Sequence, residues 1–278
     1  MSVAATAAPW ETVRIGPAPR IAVDHAGQGD LVVMLHGIGG NKRNWHDNLP
    51  AFAARFHAAA WDARGYGESD DYEGPLTFSE YADDLVRVID HFGADRAHVV
   101  GLSMGGRIAM DFAERYPERL GVLVLCATHR GFSHFPEEKK REFVRLRKEP
   151  LVAGGEPKDI AGPVAATLIG RNPAPDVMPK LVDSMSRLHK ESYIKSIEAT
   201  VYTDSHDKLH EITAPSLVVV GGADRLTTPE IAQEIAGLIP GARLATLPDA
   251  GHLVNLERPE AFNRVVIDFI LANRSNGG

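Results

Sequence analysis

A serine between two glycines, Gly101-Leu102-Ser103-Met104-Gly105, directly follows the apolar run Ala97-His98-Val99-Val100 and precedes helix-like sequence. A strand that turns sharply into a helix lifts the serine hydroxyl out of the backbone and presents it to a substrate. The glycines have a physical reason. The serine sits at strained backbone angles, and a side chain at Gly101 or Gly105 would collide as strand and helix close on each other. A hydroxyl attacks poorly until a neighbouring base takes its proton. His252, in Asp249-Ala250-Gly251-His252, follows the last predicted strand and is the candidate base. A carboxylate must then hold the imidazole tautomer. Asp224, in Gly221-Gly222-Ala223-Asp224, follows the preceding strand and fills that role; Asp249, three residues before His252, is the rival acid. The order Ser, Asp, His is the one this strand-turn-helix chemistry uses in a parallel sheet.

His36-Gly37-Ile38-Gly39-Gly40 follows another apolar run. Its glycines let backbone N–H groups turn inward, so the N–H of Ile38, with that of Met104, forms the candidate oxyanion hole. Met104 opens a helix, whose dipole favours negative charge there. His36 reads as a brace for this loop. Gly37, Trp45, His129, Arg130 and Leu253 are the candidate substrate contacts. Trp45 has a second reading as core packing. His129 and Arg130 directly follow a predicted strand; Arg130 either holds a substrate carboxylate or makes a salt bridge at the hinge of an insertion. Asp62 to Ser69 is Gly-rich but lacks the Lys-Ser/Thr ending of a phosphate loop, and reads as a structural turn near the mouth of the site. There is no metal-ligand spacing and no G-x-G-x-x-G after a strand, so the expected chemistry needs neither metal nor cofactor.

These residues need a frame. Short apolar runs at Leu31–Leu35, Ala58–Trp61, Val122–Leu125 and Leu217–Val220 suit strands buried on both faces, and Arg20–His25 and Arg243–Leu247 also read as strands. Helical spacing covers Ser79–Phe92, stopped by Gly93. It continues in the stripe Ile108, Phe112, Tyr116, stopped by Pro117, and then over Ile231–Leu238 and Pro259–Leu271. The alternation predicts an α/β domain with a mostly parallel sheet covered on both faces. From 131 to 207 the pattern is mainly helical and charged, which predicts a helical cap inserted into a core of 10–130 and 208–273. Glu137 to Lys148 reads as a solvated helix face. Residues 1–9 read as a disordered extension.

Composition sets outer limits. The chain has 278 residues, 44% hydrophobic and 24% charged, which suits one large domain or one domain with an insertion. A net charge of −7 argues against nucleic acid as a partner. The one cysteine, Cys126, lies in an apolar run and reads as an inert core residue, so no intrachain disulfide can form. The first residues do not read as a signal peptide and no stretch is long enough to span a membrane, so the expected location is the cytoplasm.

From about Ile21 to Leu271 the sequence resembles the α/β-hydrolase superfamily. The residues that carry the resemblance are His36-Gly37, Asp62-x-Arg64-Gly65-x-Gly67-x-Ser69, the Ser103 turn, the Asp224 turn and Gly251-His252, all in family order. The resemblance implies an eight-stranded, mostly parallel sheet and a Ser103–His252–Asp224 triad. The segments Gly101–Gly106 and His252–Pro259 are similar to small carboxylesterases and 3-oxoadipate enol-lactonases. Dehalogenases and epoxide hydrolases place Asp where this chain has Ser103. Meta-cleavage C–C hydrolases usually carry Asn and Trp at the positions of Leu102 and Leu253, and many enol-lactonases have Pro at the position of Gly37. The expected activity is therefore cleavage of a small ester or lactone through an acyl-enzyme on Ser103. The alternatives are a C–C bond hydrolase of a meta-cleavage-type keto acid, a cofactor-free perhydrolase, and a non-catalytic ligand receptor on the same fold.

Overall fold

A computed structural model of the chain describes residues 9–202 and 206–274. Eight strands form one sheet: β1 (Glu11–Ile15), β2 (Ile21–Ala26), β3 (Leu31–Leu35), β4 (His57–Trp61), β5 (Ala97–Leu102), β6 (Leu120–Cys126), β7 (Ser216–Gly221) and β8 (Arg243–Leu247). Their spatial order is β1-β2-β4-β3-β5-β6-β7-β8. β2 runs antiparallel to both of its neighbours, and every other pairing is parallel. Each residue of β3, β5 and β7 is buried. Successive strand residues face opposite ways, so unbroken burial means that both faces of the sheet are covered. The edge strands β1 and β8 are largely exposed.

Register brings the site to one edge. Leu35 of β3 pairs with Gly101 of β5, Leu102 with Cys126 of β6, Cys126 with Val219 of β7, and Gly221 with Leu247 of β8. The carboxyl ends of five parallel strands therefore open in one row, where open α/β sheets gather their ligands. The loops that leave them carry Ile38, Ser103, His129, Asp224 and His252.

The helices follow from local sequence. α1 (Leu49–Ala53) starts with a proline in its first turn and packs on β4. α2 (Phe78–His91) begins at a capping box in which Thr77 and Glu80 satisfy each other's backbone N–H, and it packs along α3 (Met104–Arg115). Pro117 prevents α3 from continuing. Between β6 and β7 the described chain is helical: α4 (Glu137–Arg147), α5 (Glu149–Val152), α6 (Pro157–Ala166), α7 (Val177–Ser186) and α8 (Lys190–Tyr202). α9 (Pro229–Leu238) lies on β7 and β8; α10 (Val254–Glu257) leads into α11 (Pro259–Asn273). Residues 1–8 of the expected extension lie outside the described residues, as do 203–205 of the expected cap.

Candidate active site

Ser103 lies between β5 and α3 with φ 54° and ψ −113°, a left-handed backbone region that a residue with a side chain rarely adopts. Its neighbours hold it there. Its N–H donates to Cys126 O at 2.8 Å, and its carbonyl accepts the Thr128 hydroxyl at 2.7 Å and the Gly106 N–H at 2.9 Å. The flanking glycines are required by contact. A Cβ on Gly101 would stand 2.3 Å from Gly105 O, and one on Gly105 would stand 2.3 Å from Leu35 O. The serine turn and the end of β3 thus touch backbone to backbone.

His252 and Asp224, both buried, meet through Nδ1 and Oδ2 at 2.9 Å. The Thr227 hydroxyl donates to the same Oδ2 at 2.6 Å and lies 3.2 Å from His252 Nδ1. The N–H groups of Leu226 and Thr227 donate to Oδ1 at 2.8 and 3.1 Å. Burial pushes the Asp224 carboxyl up, but the charge and hydrogen bond of His252, with the donors of Thr227 and Leu226, outweigh it and hold the pKa below its ordinary value. Asp224 can only accept while ionised, so His252 presents Nδ1–H to it and leaves Nε2 free as a base. Asp249, the rival acid, is exposed, and no hydrogen bond links it to His252 among the described residues.

A buried carboxylate that sequence reasoning missed fixes the histidine loop. Glu257 Oε2 accepts the N–H of Gly251 at 3.1 Å and of Gly170 at 3.0 Å, while Oε1 accepts that of Leu253 at 3.4 Å. The His252 N–H donates to Leu168 O at 3.0 Å. The helical insertion and the histidine loop are therefore hydrogen-bonded to each other. The acid five residues past His252 was visible in the sequence; its inward direction was not.

The first glycine-rich loop sits against this turn. Ile38 and Met104 flank it, and among the described residues neither N–H is engaged in a turn or loop hydrogen bond. His36 is fully buried; its Nε2 accepts the Ala63 N–H at 3.1 Å, so Nδ1 carries the proton and donates to Gly37 O at 2.9 Å. Burial pushes its pKa down to about 4, so it is a neutral brace at ordinary pH. The Asp62–Ser69 turn is structural. Asp62 accepts the N–H groups of Lys42 and Glu68 at 2.7 and 2.8 Å, and its Tyr66 hydroxyl reaches Met104 Sδ at 3.8 Å. Burial pushes the Asp62 carboxyl up to about 6 despite those bonds.

Ser103 and His252 line one cavity of about 360 Å³, together with Gly37, Ile38, His129 and Leu253. That size falls in the range of small-molecule sites. The His129 ring packs edge-on to Phe132 and Phe135; burial first, then the charge of Arg107, hold its pKa well below the ordinary value. Two expected contacts lie elsewhere. Trp45 is fully buried against Phe262 in the core. Arg130 turns away from the cavity and pairs with Asp207 at 2.9 Å and Glu234 at 3.0 Å, which is the hinge salt bridge. α4 is not merely a solvated face: Lys139, Glu142, Phe143, Leu146 and Arg147 line the cavity, and Arg147 is buried. Cys126 is buried beneath, its thiol pushed up by burial. Among the described residues no three His, Cys, Asp or Glu side chains gather as a metal site, and no helix is long and apolar enough to cross a membrane.

The mostly parallel sheet, the strained serine turn and the buried acid–histidine pair define an α/β hydrolase. A family profile described as alpha/beta hydrolase fold matches residues 30–259, and the chain belongs to that family. It is 32% identical over 266 residues, 90% of each chain, to a 2-hydroxy-6-oxononadienedioate/2-hydroxy-6-oxononatrienedioate hydrolase of Cupriavidus pinatubonensis. A thermophilic esterase of Thermogutta terrifontis, solved with malate bound, superposes with a TM-score of 0.85 at 27% identity, over 96% of this chain and 99% of that one. The enol-lactonase of Burkholderia xenovorans LB400 superposes with a TM-score of 0.81 at 27% identity, over 94% and 100%. These comparisons make the protein a hydrolase acting on a small molecule.

Proposed function

We propose that Ser103 is the nucleophile of a serine hydrolase whose substrate carries an activated carbonyl. Ser103 Oγ attacks that carbonyl while His252 Nε2 takes the hydroxyl proton, and Asp224 stabilises the imidazolium. The tetrahedral oxyanion lies against the N–H groups of Ile38 and Met104 at the head of α3. Collapse breaks the bond from the carbonyl carbon to the leaving group, which receives the proton from His252. Water, deprotonated by His252, then attacks the acyl-enzyme and frees Ser103. The observation that carries this reading is the 2.9 Å Asp224–His252 pair, whose histidine lines one cavity with Ser103.

Relatives at 31–32% identity are named as hydrolases of 2-hydroxy-6-oxo-dienedioates, and we read this chain as breaking the same kind of bond. The leaving group is then a carbon, expelled as the enolate of a vinylogous keto acid and protonated from His252. Ester or lactone cleavage is the second reading. Its support is Leu102 and Leu253, at positions where C–C hydrolases usually carry Asn and Trp, and the likeness to the esterase and the enol-lactonase. The test is turnover of a 2-hydroxy-6-oxo-dienoate, followed as loss of the dienone absorbance, beside aryl esters from acetate to octanoate. Ser103-dependent dienone turnover exceeding ester turnover supports C–C cleavage. Ester turnover alone supports the second reading. Turnover of either substrate that survives Ser103→Ala overturns both.

A further inference from the structure

The cavity contains a buried cation that the proposed mechanism does not use. Arg147, the last residue of α4, has 3% of its surface exposed and lines the cavity with Ser103 and His252. Its guanidinium stacks on Phe143 at 4.1 Å from the ring centre. Among the described residues no carboxylate pairs with it, and its Nε has no hydrogen-bond partner. The polar groups that act on it are the Tyr193 hydroxyl and the Glu142 carboxylate. Neither neutralises it. Tyr193 is buried and burial raises its pKa, so its hydroxyl meets the guanidinium as a neutral dipole and carries no charge. Glu142 is exposed and already held by Arg145 through two hydrogen bonds at 2.7 and 2.8 Å.

Such a group is costly to keep. A guanidinium is not deprotonated in proteins, and a buried charge without a partner is normally selected against unless something pairs with it. Burial already lowers the pKa of Arg147. The remaining wall is largely apolar, with Phe132, Phe135, Leu146, Leu168 and Leu226, and the two other cations on it, Lys139 and Arg225, are exposed to solvent rather than buried. A planar fork at an apolar wall matches a carboxylate on a hydrocarbon stem, because both carboxylate oxygens can be met at once. We infer that Arg147 is the residue that anchors the carboxylate of the substrate and so determines specificity at this site. This rests on the Ser103 reading above and adds to it the group that sets specificity. It also moves the anion-binding role from Arg130, whose charge is satisfied at the hinge.

The experiment compares two aryl esters of equal chain length, the monophenyl ester of adipic acid and phenyl hexanoate. Wild type should prefer the acid ester in kcat/KM. Arg147→Met should lower that ratio by about 10- to 100-fold, the value of one charged hydrogen-bonded contact, because only the acid ester can use it. Its Tm should hold or rise, since an unpaired buried charge is replaced by an apolar chain of similar length. If Arg147→Met does not fold, Arg147→Lys keeps the charge and loses the fork, and the ratio should fall by part of that amount. An unchanged ratio in the variant that folds, or no preference in wild type, overturns the inference. A binding arm separates it from the Ser103 reading: adipate should raise the Tm of Ser103→Ala and not that of Arg147→Met. Ester turnover by Ser103→Ala would sink the nucleophile while leaving the Arg147 result standing. Absence of any adipate effect on Ser103→Ala would sink the anchor.

Discussion

Replacing Asp224 with Asn changes one atom and should invert the hydrogen bonding of the histidine. Oδ1 accepts the N–H groups of Leu226 and Thr227, and the amide oxygen of Asn can keep both bonds. Oδ2 accepts from His252 Nδ1 and from the Thr227 hydroxyl, and the amide nitrogen that replaces it can only donate. His252 Nδ1 must then become an acceptor, and the ring proton moves to Nε2. Thr227, 3.2 Å from Nδ1, reinforces the change, because its hydroxyl no longer has Oδ2 to donate to and can donate to the ring. A histidine protonated on Nε2 cannot take the Ser103 proton. The expected loss in kcat is about ten-thousand-fold, or roughly 5 kcal/mol of transition-state stabilisation, as for a triad aspartate in serine proteases. The fold should survive, since the shape is unchanged and the Oδ1 bonds persist. Steady-state kinetics on the better of the dienone or aryl-ester substrates, with a thermal melt beside them, measure both effects. Asp249→Asn serves as the comparison, since that side chain is exposed and should cost less than threefold. A loss of under tenfold in Asp224→Asn, with a normal melt, would refute the assignment of Asp224 as the acid that orients His252.

Three further outcomes follow from the geometry. Gly105→Ala places a methyl 2.3 Å from a backbone oxygen of β3, which no side-chain rotation relieves; it should destabilise the protein by about 1–3 kcal/mol or more in a denaturant melt and depress kcat by moving the oxyanion loop. Glu257→Gln sets an NH₂ against the N–H of Leu253 or those of Gly251 and Gly170, so stability should fall by about 1–3 kcal/mol and kcat with it; no change in either would remove Glu257 from the histidine loop's support. In acid, His36, with its pKa pushed down to about 4, contributes stability that is full above about pH 6.5 and is lost as pH falls toward 4, about 3 kcal/mol in all. Asp62, pushed up to about 6, has the opposite sign, because the folded chain gains the proton first as pH falls from 6 to about 4. The two nearly cancel in wild type, so Asp62→Asn should lose stability more steeply across pH 6.5 to 4, by about 3 kcal/mol, and parallel pH profiles would contradict this.

Most of the core was legible because burial on both faces leaves a plain mark. Leu31–Leu35 and Leu217–Val220 are unbroken apolar runs, and they are β3 and most of β7. β1 left no such mark: Glu11–Ile15 is an edge strand with Glu11 and Arg14 facing solvent, and its pairing with β2 supplies what the pattern lacks. α1 is only five residues long, too short to show a helical period. In the site, glycine punctuation at strand ends marked Ser103, Asp224 and His252, since a residue held at a tight turn needs small neighbours whatever the distant contacts are. Side-chain direction was not encoded in that way. Arg130 follows a strand end as His129 does, yet one faces the hinge acids and the other the cavity. Phe143 and Arg147 belong to a charged helix whose pattern reads as solvated; only the docking of that helix over the sheet edge turns them inward.

Ser103, read as an activated nucleophile served by His252, can be tested without a substrate. The most direct measurement is covalent labelling by an aryl alkylphosphonate, a tetrahedral mimic that needs an activated serine but no knowledge of the natural substrate. Intact-mass analysis of wild type should give one stoichiometric adduct, located by peptide mapping to Ser103, with labelling abolished in Ser103→Ala and slowed at least a hundredfold in His252→Ala. Wild type left unlabelled, or labelled at another residue, would rule out Ser103 as the nucleophile.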